Sequence, residues 1–149
     1  MHNLEDAKKW ISIAERDYAV SVTLHKLHRP LPIEIICFHC QQSVEKSLKA
    51  ILAHNNAEIP KTHDIRLLNE LCEKFISEFV VDSRVAETIS DFAVVTRYVE
   101  VNRDYTEDTG DFALKQAREI SDKVKEVLNL PQSVETESPD DDDNEDNQK

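Results

Sequence analysis

Two short stretches of this 149-residue chain concentrate the side chains that could do chemistry. In the first, His39, Gln42, Lys46 and Lys49 recur at steps of three and four, with Gln41 and Glu45 beside them. On a helix that spacing gathers them on one face. Lysine offers three donors, glutamine a donor and an acceptor, and histidine a titratable nitrogen. Two readings follow: a solvated face on which Gln and Lys pair with Glu, or a groove of donors that holds a phosphate or a partner's backbone. The second stretch, Lys61-Thr62-His63-Asp64, opens a periodic apolar segment. A helix N-terminus has free N–H groups and the positive end of the helix dipole, so it suits an anion. Thr62 and Asp64 are also ordinary capping residues. Capping has no need of the imidazole of His63.

Two further groupings carry weaker signals. Cys37-x-His39-Cys40 resembles half of a metal cluster, but it lacks a second spaced pair, and both cysteines fall on an apolar stripe. They read as small core residues, and no metal is expected. Arg97-Tyr98 lies beside a stripe through Val95 and Val99. Its guanidinium suits a buried ion pair and a phosphate contact equally. A Ser–His–acid or Cys–His relay closes only in three dimensions, so spacing assembles none.

The elements that must position these groups read as helices. The prolines, at 30, 32, 60, 131 and 139, interrupt no periodic apolar segment and so mark joints. Leu4, Ala7, Ile11, Ala14, Tyr18 and Val22 predict an amphipathic helix over about 4–27. Cys37, Cys40, Val44, Leu48 and Ile51 predict a second over 33–55. Asp64 caps a third, with Ile65, Leu68, Leu71, Cys72, Phe75 and Phe79 inward. Asp82 or Ser83 caps a fourth, striped by Val85, Ile89, Phe92, Val95 or Thr96, and Val99. Thr109 caps a fifth, with Ala113, Ala117, Ile120, Val124 and Leu128 inward. Short joints between such helices imply an all-α, up-and-down bundle over residues 1–131.

Composition excludes several classes. With one glycine, Gly110, neither a phosphate loop nor a dinucleotide fingerprint can form. The net charge is −12, of which −7 lies between Gln132 and Lys149; that segment, 132–149, reads as a disordered acidic tail. No clustered basic surface suggests DNA binding. The longest uncharged run, Ile35 to Val44, is half what a membrane-spanning helix needs, and the N-terminus does not read as a signal peptide. Three cysteines without framework spacing fit reduced thiols in a cytoplasm.

Three ordered motifs resemble the HEPN family, the helical domains named for higher eukaryotes and prokaryotes nucleotide-binding. Cys40-Gln41-Gln42-Ser43-Val44-Glu45-Lys46-Ser47-Leu48-Lys49-Ala50-Ile51-Leu52 resembles its Q-Q-x-x-E-K-x-x-K-A-x-L signature. Pro60-Lys61-Thr62-His63-Asp64-Ile65 with Leu67-Leu68 resembles its P-x-T-H-D-I-x-x-L-L segment, and Arg97-Tyr98 its Arg-Tyr pair. The resemblance, over about 4–130, implies a five-helix bundle that pairs into a homodimer. It also implies action beside a minimal nucleotidyltransferase in toxin–antitoxin or defence systems. Other members are ribonucleases with an Arg followed, after four to six residues, by His; none of the seven arginines here has that His. The expectation is a non-catalytic module without a cofactor, binding a nucleotide or nucleotidyltransferase through Gln42, Glu45, Lys46, Lys49, His63, Arg97 and Tyr98. One rival is a metal-independent endoribonuclease using Arg97 with His39 or His63. Another is a purely structural adaptor.

Overall fold

The computed structural model describes residues 3–77, 81–93 and 105–132. Among them are five α-helices and no strand: α1 (Leu4–Leu27), α2 (Ile33–His54), α3 (Ile65–Glu73), α4 (Ser83–Asp91) and α5 (Glu107–Val127). The expected continuation of the fourth helix through Val95, Thr96 and Val99, the residue Phe79, and the acidic tail from 133 lie outside the described residues.

Helix α1 begins on Asn3, whose side chain accepts from Asp6 N at 3.1 Å, with Glu5 and Asp6 facing the positive dipole end. Its backbone then ties back to the far end of α2, with Asn3 N donating to His54 O at 2.8 Å. Near the other end, Ser21 Oγ donates to Ile36 O at 3.1 Å. The two helices are therefore antiparallel, and close enough for a side chain to reach the neighbouring main chain. Small residues permit that approach: Ala7, Ala14 and Ser21, spaced by sevens, are fully buried, as are Ser43, Ser47 and Ala50 on α2. Ser21, rather than the expected Val22, takes the innermost position, and Val22 is half-buried.

Helix α2 is the centre of the bundle. It packs against α1, α5, α3 and α4, and fourteen of its 22 residues are buried. A helix covered on nearly every side must bury polar residues or lack them. This one buries Gln41, Ser43, Glu45, Ser47 and Lys49. The cysteines Cys37, Cys40 and Cys72 lie in the same core, their thiols pushed up to about 12, 11 and 12 chiefly by burial. Asn56, at φ 52°, takes the left-handed conformation that closes α2, as Asn129 does after α5.

Two further expectations need correction. Phe75 was expected inward but is 44 % exposed, because α3 ends at Glu73 and the helical phase is lost beyond it. Helix α5 is capped by Thr106, not Thr109. Thr109 sits three residues on, where its Oγ1 accepts from Thr106 N at 3.1 Å, the returning half of a capping box. The inward stripe of α5 lies as expected, with Ala113, Ala117, Ile120, Val124 and Leu128 all buried.

Candidate functional site

The chemically capable side chains of α2 sort into two clusters. At the centre of the first is Glu45, 3 % exposed. One carboxylate oxygen accepts from Lys49 Nζ at 2.7 Å. The other accepts from His63 Nδ1 at 2.9 Å, Gln41 Nε2 at 3.1 Å and Gln42 Nε2 at 3.2 Å. Gln41 also donates to His63 O at 3.2 Å and accepts from Gln42 Nε2 at 2.6 Å. Burial alone pushes the carboxyl up. The hydrogen bonds from Lys49, His63 and Gln41, with the charge of Lys49, outweigh that and hold it below its ordinary 4.5. Lys49 is itself buried, its ammonium 5.7 Å from the centre of the Trp10 ring, a cation–π distance. Lys49 and Glu45 thus lie inside the protein rather than on a solvated face.

The second cluster spans α1 and α2. Asp17 receives His39 Nδ1 at 3.1 Å on one oxygen and the Lys46 ammonium on the other. The three side chains are 15, 27 and 21 % exposed, so the cluster sits at the rim of the helix pair. Of the expected contact residues, the structure therefore brings Gln42, Glu45, Lys49 and His63 together and places Lys46 with Asp17 and His39. Arg97 and Tyr98 lie outside the described residues.

The start of α3 offers no vacant backbone donor among its first N–H groups. Asp64 N is bonded to Thr62 Oγ1, Ile65 N to Ser90 Oγ, and Arg66 N and Leu67 N to the Asp64 carboxylate. Those donors are the ones an anion would need. What remains accessible is the His63 side chain, 67 % exposed, beside exposed Lys61.

Spacing within α2 did not reveal Asp17, Trp10 or the central role of Gln41. One signal was available for Asp17: folding the chain back at Pro30 sets position 17 level with position 43, between His39 and Lys46. Trp10 lies level with position 50 by the same rule. Among the described residues no group of His, Cys, Asp and Glu could hold a metal ion, and no helix is long and apolar enough to cross a membrane.

An all-α bundle with a central helix that buries a Gln-Gln-x-x-Glu network is the class these features define. The sequence profile of the HEPN domain matches residues 7–127, and the chain belongs to that family. Among solved structures it is similar to ST0689, an archaeal HEPN homologue, at 23 % identity with a TM-score of 0.59. The match covers 82 % of this chain and 97 % of that one, and it supports the fold. Among curated proteins none matches significantly.

Proposed function

We propose that this chain is a non-catalytic HEPN module that acts by association. It forms a homodimer and binds a nucleotide, a minimal nucleotidyltransferase partner, or both, in a cytoplasmic toxin–antitoxin or defence system. The observation that carries this reading is the outer face of the α1–α2 pair. Ile13, Val20 and Leu27, again spaced by sevens, are 41, 41 and 74 % exposed, and Ile35 of α2 is 39 % exposed. Large apolar residues left outside on one helical stripe favour a protein partner, and a seven-residue spacing suits a second helix. Asp17, which falls between Ile13 and Val20, is already matched by Lys46 and His39. Covering this cluster therefore strands no lone carboxylate, which an interface would penalise. A two-fold axis would bring the same stripe of a second copy onto this one.

The absence of an Arg-x4–6-His pair from the sequence supports the non-catalytic part, because metal-independent RNA cleavage needs both a proton carrier and a cation. For a nucleotide, the accessible groups are His63 and Lys61, with half-buried Gln42 at the edge of the Glu45 network. The test is sedimentation equilibrium of the full chain with and without Val20→Glu, and calorimetric titration with ATP. A dimer that dissociates at least tenfold more readily in the variant, and a saturable heat with ATP, are expected. A monomer at all concentrations, with no heat, would overturn the reading.

A further inference from the structure

Helix α4 packs on α3 and α2, and α5 packs on α2 and α1. Between the start of α4 and the later turns of α5 lies a cavity of about 160 Å³. Its floor is apolar: Val81 and Ile120 are buried and Val85 is half-buried. Its rim is polar, with Asp82 on the α4 side and Gln116, Glu119 and Lys123 on α5. Those three recur at steps of three and four, so one helical face presents an amide, a carboxylate and an ammonium in turn. Asp82 caps α4 through Oδ1, which accepts from Arg84 N at 2.9 Å and Val85 N at 3.3 Å. Glu119 has a loose ion pair with Lys115, at 4.0 Å. Among the described residues, the Gln116 amide and the Lys123 ammonium have no hydrogen-bond or ion-pair partner. An ammonium four residues after a carboxylate on one helix is placed to pair with it, yet Lys123 bridges neither Glu119 nor Asp82.

Opposite charges that line one cavity without meeting each other suit a ligand that carries both. We infer that the α4–α5 cavity is a binding site for a small zwitterion, an α-amino acid with an aliphatic side chain. Its carboxylate meets Lys123 Nζ, its ammonium lies between Asp82 and Glu119, and its side chain covers Val81, Val85 and Ile120. Gln116 can donate to the carboxylate or accept from the ammonium. The size agrees: a cavity of roughly 150 Å³ holds a benzene-sized molecule, the bulk of an aliphatic side chain, and the charged ends can reach out to the rim. A simple anion would face two carboxylates, and a simple cation would face Lys123, so neither matches the whole rim. A nucleotide polyphosphate meets the same two carboxylates. The cavity is therefore separate from the surfaces proposed above for a nucleotide and a second copy, and its failure leaves those readings standing.

The test titrates the full chain, 13C-labelled at its methyl groups, with L-leucine and follows the resonances of Val81, Val85 and Ile120. All three should shift and saturate together. Isocaproate, which lacks the ammonium, and L-leucinamide, which lacks the carboxylate, should each bind about fivefold more weakly or worse, the loss expected of one charge-assisted contact. Lys123→Met keeps the length of the side chain and removes its charge. It should weaken L-leucine by a similar factor, leave L-leucinamide unchanged and barely move the urea midpoint, since Lys123 is exposed and supports nothing else. No saturable shift with L-leucine up to about 50 mM would overturn the site, because even a weak specific complex is populated there. Equal affinities for L-leucine and L-leucinamide, or a variant that weakens both alike, would overturn the assignment of Lys123 to the carboxylate and with it the zwitterion.

Discussion

Burying a carboxylate costs more than one hydrogen bond returns, so the four donors around Glu45 have to act together. The bonds from Lys49, His63 and Gln41, with the charge of Lys49, lower the carboxyl pKa, and lowering implies a direction in pH. A group that ionises more readily when folded adds stability above its unfolded value, near the ordinary 4.5, and that stability is lost as pH falls through the lower folded value. Urea midpoints of the wild-type chain should therefore drop as pH falls below the ordinary 4.5, and Glu45→Gln should flatten that part of the profile. A variant as steep as the wild type would mean that other carboxylates dominate acid unfolding. Lys49 bears on any binding experiment. Removing its ammonium takes the lysine counter-charge from buried Glu45 and costs about 3–5 kcal/mol, so Lys49→Ala reports on folding before it reports on binding. His63, exposed and at the end of the network, has no such ambiguity. The sequence disclosed the residue types of this cluster but not its interior position. Apolar periodicity locates the face that must be buried, and it cannot say that the opposite face of α2 is buried too. That depends on His63 and Trp10 arriving from other segments.

At the scale of the elements, more was legible. The bounds of α1 and α2, the Asp64 and Asp82 caps and the inward stripe of α5 all follow from local chemistry: apolar period, capping side chains and proline joints. The failures were local as well. Thr106 and Thr109 are both good caps, and only the reciprocal hydrogen bond tells which one starts α5. Phe75 continues the apolar period of α3, but the helix stops before reaching it. Two substitutions probe how tightly these elements fit. Gly110 lies inside α5 without a positive φ, and an added Cβ would rest 3.7 Å from Ile33 Cγ2, an ordinary contact. Gly110→Ala should thus stabilise the chain by about 0.5–1 kcal/mol through helix propensity. Ser21→Leu should do the reverse, by about 1–3 kcal/mol, since it forces a large side chain into the closest approach of α1 and α2. Thermal melts of both variants against the wild type check the two signs together.

For the molecule as a whole, the arrangement is a hairpin and a closing helix. The segment 28–32 joins α1 directly to its antiparallel neighbour α2, whereas α5 arrives late in the chain. It meets α1 through pairs such as His25 with Asp111, 86 residues apart, and Glu15 with Lys125. The same small-residue seam that lets α1 and α2 approach therefore has a kinetic consequence. Contacts close in sequence form at low loop-closure cost, and those that close a long loop are rewarded only afterwards. The α1–α2 hairpin should be structured in the folding transition state and the docking of α5 should follow it. In stopped-flow chevrons, Ile36→Val should mainly slow folding, and Val124→Ala should mainly speed unfolding. Equal effects on both arms would indicate that α5 docks in concert with the hairpin. On this order of events, a nascent chain that ends before Glu107 already owns the apolar outer stripe of α1, and with it the means to meet another copy before its own last helix is in place.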